Sequence, residues 1–206
     1  GDVTNNSTIS SITIVESSVT GSVTVGGVIG RTSSTGIHEY LAYSGKVSAI
    51  FNPSVAWNSQ SIGKNAGGVI GKMQKNTVLK RSYFNGSVSG SYSIGGVVGI
   101  STAQGVAIYN SYSIGNVNGQ FMAGGFSGVS SAAVSNCFTS SVVSATTWGS
   151  YGSFSPVSLK SAYNNNYVNY NNYYNMSLTN SSSLSQYNGN TWAPDTSVIS
   201  KFNTVF

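Results

Sequence analysis

Charge is what this 206-residue chain has least of: Asp, Glu, Lys and Arg together make up 6% of it, against roughly a quarter in an ordinary soluble domain. Disorder normally comes with high charge and few aromatics, so 39% hydrophobic and 12% aromatic residues point instead to a folded body. Its surface must be covered by hydroxyls and amides rather than ions. Cysteine is scarce too. Cys137 stands alone, which excludes an internal disulfide and a cysteine-built metal site and leaves the redox compartment open. No apolar run approaches the ~18 residues that a membrane-spanning helix needs, so no membrane span is expected. Nothing after Gly1 reads as a signal peptide, as expected of a mature form or a fragment.

The shortage of acids bears on catalysis. A glycosidase normally sets two carboxylates about the scissile bond, and this chain offers only Asp2, Glu16, Glu39 and Asp195. His38-Glu39 is the one acid-base pair in the repeat body, and neighbours on a strand face opposite ways. A Ser-His-Asp arrangement would have to use His38, with no nucleophile motif beside it. The expectation is a protein that is not an enzyme and uses no cofactor or metal. The net charge of +5 is nine cations against four acids. Five of the cations fall together, as Lys64, Lys72, Lys75, Lys80 and Arg81. A nucleic-acid binder spreads many more over a face or groove, so no nucleic-acid partner is expected. Lysines in such a run are solvated and discourage edge pairing.

What the chain does have is a repeat. Gly26-Gly27-Val28-Ile29-Gly30 recurs as Gly67-Gly68-Val69-Ile70-Gly71, Gly95-Gly96-Val97-Val98-Gly99 and Gly124-Gly125-Phe126-Ser127-Gly128. A decayed copy stands at Gly152-Ser153-Phe154-Ser155-Pro156, and the last three steps are 28, 29 and 28 residues. Between the copies runs a second pattern. Leu79-Lys80-Arg81-Ser82-Tyr83 matches Ile108-Tyr109-Asn110-Ser111-Tyr112, Val134-Ser135-Asn136-Cys137-Phe138 and Leu159-Lys160-Ser161-Ala162-Tyr163. Each is followed by a small or turn-forming residue (Gly86, Gly115, Ser141, Asn166) and then by a valine (Val88, Val117, Val143, Val168). Ile14, Gly21 and Val23 fit this frame, and Ile37, Gly45 and Val47 fit it with one extra residue.

Short apolar alternations bounded by Gly, Asn and Ser read as strands and turns, and no helical stripe is present. The expected fold is all-β: a parallel β-helix, or β-solenoid, of about six coils of roughly 25 residues, each with three short strands and three turns. Alternation predicts that Val28, Val69, Val97, Phe126 and Phe154 point inward, and that Ile29, Ile70, Val98, Ser127 and Ser155 point outward. The four valines Val88, Val117, Val143 and Val168 should stack as one buried column. Cys137, aligned with Ser82, Ser111 and Ala162, reads as a small packed residue rather than a reactive thiol.

The unit Gly-Gly-Val-Val-Gly, a short connection, then Ile-x-Asn-Ser-Tyr-Ser-x-Gly-x-Val resembles the GLUG-motif repeat, a family named for its Gly-Leu-aliphatic-Gly core. The resemblance covers about residues 14 to 170 and is clearest between 67 and 128. Val or Phe replaces the Leu, and the fifth copy has lost two glycines. Repeats of this kind occur in bacterial surface adhesins, in regions accompanying IgA-specific metallopeptidases and in secreted proteins of some protists. The resemblance implies a surface-exposed solenoid, extracellular or at the cell surface, with no catalytic residues inside the repeat. No His-Glu-x-x-His zinc motif is present, so the peptidase activity of some relatives does not carry over.

Function is expected where the repeat breaks. The connection from Val47 to Gly67 carries Phe51 and Trp57, expected either to cover Ile29 and Ile70 or to bind a partner. The stretch from Tyr163 to Asn175 holds Tyr167, Tyr170, Tyr173 and Tyr174, an aromatic platform for sugar rings or another protein. Residues 1–175 read as the solenoid domain and 176–206 as a cap or docking segment, with Phe202 and Phe206 as candidate contacts. N-x-Ser/Thr sequons stand at Asn5, Asn6, Asn85, Asn175 and Asn180, which makes the chain a candidate glycoprotein. The leading expectation is a structural protein of a surface fibre or coat that associates with itself or a neighbouring surface protein. An adhesion module binding glycan or a receptor comes second, and a carbohydrate-active β-helix enzyme third.

Overall fold

A computed structural model describes residues 1–50, 65–145, 150–152, 157–158, 169–170 and 173–174. The first rung comprises β1 (Asp2–Val3), β2 (Ser10–Gly21) and β3 (Thr24–Gly26). The second comprises β4 (Ile29–Thr32), β5 (Ile37–Ala49) and β6 (Asn65–Gly67). Four short strands make the third, namely β7 (Ile70–Met73), β8 (Val78–Lys80), β9 (Tyr83–Ser89) and β10 (Ser93–Gly95). The fourth repeats this as β11 (Val98–Ser101), β12 (Ala107–Tyr109), β13 (Tyr112–Gly119) and β14 (Met122–Gly124). The fifth has β15 (Ser127–Ser130), β16 (Ala133–Ser135), β17 (Phe138–Ala145) and β18 (Ser150–Gly152). Two-residue strands β19 (Val157–Ser158), β20 (Asn169–Tyr170) and β21 (Tyr173–Tyr174) follow.

All pairings among these strands are parallel, and equivalent strands stack rung on rung. The result is a β-solenoid with walls of six, five and ten strands; the ten-stranded wall folds about β5, which pairs with both β8 and β9. The stack makes about four turns, fewer than the six coils that the repeat suggests.

The third, fourth and fifth rungs have four strands rather than the expected three because of one backbone position. Ser11, Tyr40, Arg81, Asn110 and Asn136 occupy equivalent places and all have positive φ, between 47° and 57°. A left-handed residue turns the chain sharply, and Asn tolerates it better than other side chains. From the third rung on, this corner divides one long strand into two. The hydroxyl of the next residue secures it: Ser82 Oγ donates to the Lys80 carbonyl at 2.8 Å and Ser111 Oγ to the Tyr109 carbonyl at 2.8 Å. Cys137 takes the same place with its thiol 3.3 Å from the Ser135 carbonyl, fully buried, its pKa pushed far up by burial. It is a packed corner residue.

The Gly-Gly segment overturns the inward-outward assignment. Val28 and Ile29 both donate to the Val69 carbonyl (3.0 and 3.1 Å), Val69 and Ile70 both to that of Val97 (3.0 and 3.0 Å), and Val97 and Val98 both to that of Phe126 (2.8 and 3.1 Å). Two consecutive N–H groups sharing one acceptor shift the strand's alternation by one residue, as a bulge does. Both residues of each pair therefore turn inward. Ile29, Ile70, Val98 and Ser127 are buried beside Val69, Val97 and Phe126, while Val28 is half-buried. Phe154 and Ser155 lie outside the described residues.

Columns of like side chains fill the core. Val88, Val117 and Val143 stack as expected, with Val47 and Val19 continuing the column toward the first rung; Val168 lies outside the described residues. In the first rung it is Val19, not Val23, that takes this place, because Ile14 pairs with Tyr43, well past the His38 that begins the frame in the second rung; Val23 is exposed. In the second rung His38, not Ile37, pairs with Leu79, and with His38 in the frame no extra residue is needed. The Leu159–Tyr163 alignment also fails: Val134 pairs with Asn169 and Phe138 with Tyr173.

A neighbouring column trades volume with the Gly-Gly corner. Tyr43 and Phe84 stack at 6.2 Å, and in the next rungs Ser113 and Thr139 replace them. A Cβ at Gly68 would stand 2.2 Å from the Phe84 ring. Where the column shrinks to Ser113, the corner residue grows from Val97 to Phe126, which keeps the interior close-packed.

Candidate functional site

Three features of the surface depart from a uniform solenoid: a lateral face, a charged cluster and the edge of the first rung. On the lateral face, built by β5, β9, β13 and β17, Tyr83 and Tyr112 stack at 5.1 Å with rings 4° from parallel. Phe138 stands in register with Tyr112, and Tyr173 with Phe138. The rings of Tyr83 and Tyr112 face one another along the stacking axis, so each covers one face of the other. Burial and the neighbouring Tyr83 hold the Tyr112 phenol above its ordinary value of 10.0. Beside them lie Asn85, Ile114 and Val142, all exposed.

The cation run is partly neutralised. Glu39 accepts from Arg81 at 3.2 Å and lies 4.0 Å from Lys80 Nζ, and the Arg81 guanidinium sits 5.4 Å above the Tyr40 ring. Glu39 and His38 face opposite ways, as expected of strand neighbours. His38 is fully buried: Nδ1 accepts from the Ile9 N–H at 3.1 Å, and Nε2 lies 3.0 Å from Thr32 Oγ1. With Nδ1 accepting, the proton belongs on Nε2. Burial holds the imidazole below its ordinary value of 6.5. The only histidine is thus committed to two structural hydrogen bonds.

The edge of the first rung is the most distinctive feature. β2 is 12 residues long and, among the described residues, pairs only with β5; β1 pairs only with β4 and β3 only with β6. Ile9, Ile12, Ile14 and Val19 pack on the core but remain half-buried, while Val15 is 64% exposed. Polar fastenings hold this rung to the second: Asp2 with Arg31, Thr35 with Asn6, Ser34 Oγ with the Ser7 carbonyl at 2.7 Å, and His38 with Ile9.

Of the residues singled out by sequence, Asn5, Asn6 and Asn85 are exposed. Tyr170 pairs with Ser135, Tyr173 with Phe138 and Tyr174 with Thr139 in the strand register. Phe51, Trp57, Tyr167, Asn175, Asn180, Phe202 and Phe206 lie outside the described residues. The reason given for Phe51 and Trp57 to cover Ile29 and Ile70 is gone, since both isoleucines are in the core. Sequence reasoning missed the inward His38; the shift of one residue in the Ile37 frame was the signal for it. Among the described residues no cluster of His, Cys, Asp and Glu could hold a metal, and no helix is long and apolar enough to cross a membrane.

In comparisons with known proteins, no family model, no curated protein and no solved structure matches this chain.

Proposed function

We propose that this chain is a non-catalytic structural protein of an extracellular fibre or coat, assembling with copies of itself end to end. The observation that carries this reading is the first-rung edge, where a 12-residue strand pairs on one side only among the described residues. Such an edge presents a row of backbone donors and acceptors to another chain. Half-buried Ile12, Ile14 and Val19 add apolar area that a further rung would cover. At 6% charged residues, little repulsion keeps copies apart. The commitment of His38 to Ile9 and Thr32 supports the non-catalytic part. The extracellular setting rests on the resemblance of the repeat.

Glycan or receptor binding by the lateral face is the second reading, favoured by the Tyr83–Tyr112 column and the exposed Asn85 beside it. It stands second because the stack covers one face of each ring, and faces are what sugars prefer.

Light scattering and electron microscopy across a concentration series test the assembly. The intact chain should form concentration-dependent rods or filaments, and Val15→Lys, a charge on an already exposed edge position, should suppress them. Truncation after Asn180 distinguishes this edge from assembly through Phe202 and Phe206. A chain that stays monomeric throughout, while binding immobilised glycans, would replace this reading with the second.

A further inference from the structure

The first rung is attached differently from every later one, and the difference centres on a buried imidazole. In the third, fourth and fifth rungs the column that begins β8, β12 and β16 is aliphatic: Leu79, Ile108 and Val134. In the second rung the same place belongs to His38, fully buried and paired with Leu79. Its Nδ1 takes the Ile9 N–H, and so it reaches across to the backbone of the first rung just where β2 begins. No aliphatic residue could accept that hydrogen bond. Ser34 fastens the same corner through the Ser7 carbonyl.

We infer that His38 is an acid-sensitive latch on the first rung, whose opening lets residues 1–26 exchange onto a second copy of this chain. Protonated, the imidazole has no acceptor left at Nδ1, and the Ile9 N–H meets a donor instead. A cation would also occupy a column otherwise filled by leucine, isoleucine and valine. The charged groups nearby do nothing to offset it. Glu39 lies on the opposite face of β5, paired with Arg81 and Lys80. Arg31 on β4 is exposed and paired with Asp2 of β1. β8 presents Leu79, β2 and its approach present Ile9 and Ile12, and β4 presents Thr32, none of which carries charge.

The sign of the pH effect follows from burial. The docked imidazole titrates below its ordinary value of 6.5, whereas in a released rung it would titrate near it. The docked state is therefore fully favoured above 6.5 and loses ground as pH falls, by up to tenfold in the equilibrium per pH unit, until His38 protonates in place. The occupant of the vacated edge is set by complementarity. The edge of β4, β5 and β6 already fits β1, β2 and β3, so the first rung of another copy fits it equally well, as in a domain swap. This last step rests on the assembly reading above; the latch itself does not.

Hydrogen–deuterium exchange, corrected for intrinsic rates, tests the latch. Protection of residues 10–21 should fall up to tenfold per pH unit below 6.5, while that of residues 83–119 stays constant. His38→Asn keeps an acceptor near the Nδ1 position without titrating, and should abolish the pH dependence. Equal pH dependence in wild type and variant, or none in wild type, overturns the latch. If the variant does not fold, the NMR titration of His38 in the wild-type protein decides: a value below 6.5 with Ile9 shifting in step supports the latch, and one at or above 6.5 overturns it. Light scattering on the same samples reads the swap. Opening with no rise in mass at acid pH would leave the latch standing and count against assembly.

Discussion

The middle coils and the first rung are built from the same kinds of strand, yet they are held by different forces. From Tyr83 to Val143 each strand has a partner above and below, and its inward residues meet buried neighbours on both sides. There the hydrophobic effect and close packing dominate, and the charged groups are incidental. The first rung has a partner on one side only among the described residues, and its Ile9, Ile12, Ile14 and Val19 stay half-buried. Its register is interrupted by a bulge, and named polar contacts fasten it. Position in the stack, more than local sequence, decides which force holds a rung. Where burial is halved, hydrogen bonds have to specify what packing specifies elsewhere.

The sharpest way to break the middle coils is at a glycine. Gly115 has φ +134°, and a Cβ there would stand 1.9 Å from the Gly86 carbonyl oxygen. Gly115→Ala combines a strained backbone with a clash against backbone that cannot move aside, and should cost about 4–5 kcal/mol or prevent folding. Gly30→Ala, at the joint with the first rung, would place its Cβ 3.0 Å from the Gly1 carbonyl oxygen. It should cost about 1 kcal/mol and loosen the first rung alone. Thermal unfolding followed by circular dichroism separates the two outcomes. Comparable losses of Tm would dissolve the contrast.

The next largest effect belongs to Phe84, fully buried and stacked on Tyr43. Phe84→Ala should cost about 3–4 kcal/mol through lost burial and a cavity. Smaller again is the valine column. Val117→Ala removes methyl groups from a fully enclosed site and should cost about 1–3 kcal/mol. Val19→Ala, in the same column but half-buried, should cost less than about 1 kcal/mol. Denaturant titration of the pair measures the value of a second neighbour directly. Equal losses would show that the first rung is enclosed as fully as the middle ones.

Much of the middle was legible in sequence because periodicity reports regular stacking. The steps between Gly67, Gly95, Gly124 and Gly152 match the observed pairs, as do Val88, Val117 and Val143, and Cys137 with Ser111 and Ser82. What was illegible depends on backbone geometry that no periodicity carries. The shared acceptor at Val69, Val97 and Phe126 turns two neighbouring residues inward, so strict alternation assigned Ile29, Ile70 and Val98 to the wrong side. The left-handed corner was concealed because Tyr40 and Arg81 occupy it in two rungs, where Asn110 and Asn136 would have announced it. His38 was misplaced because a polar residue in an aliphatic column looks like a surface residue until its partner, the Ile9 N–H, is known. Each of these misses lies at a corner or at the contact with the first rung, where translation along the stack stops being a sufficient description.

The smallest expected effect concerns the ion pair at the very edge. Arg31 and Asp2 are in contact, but their side chains are 49% and 50% exposed. An exposed pair of this kind contributes about 0–1 kcal/mol, because water and salt screen the attraction and two long side chains must be held still. Asp2→Asn should therefore leave global unfolding unchanged and accelerate hydrogen exchange in residues 1–3 by no more than about fivefold, an effect that vanishes at high salt. Ser34→Ala should act more strongly on the same rung, although no charge is lost. It removes a buried hydroxyl that donates to the Ser7 carbonyl and accepts from the Gly36 N–H. Loss of such bonds costs about 1 kcal/mol or more, since the abandoned groups lie where water cannot fully replace the partner. Exchange measured on both variants at low and high salt ranks the fastenings. If Asp2→Asn proved the more disruptive, the first rung would be held by its surface charges, and the contrast between a packed middle and a hydrogen-bonded edge would have to be redrawn.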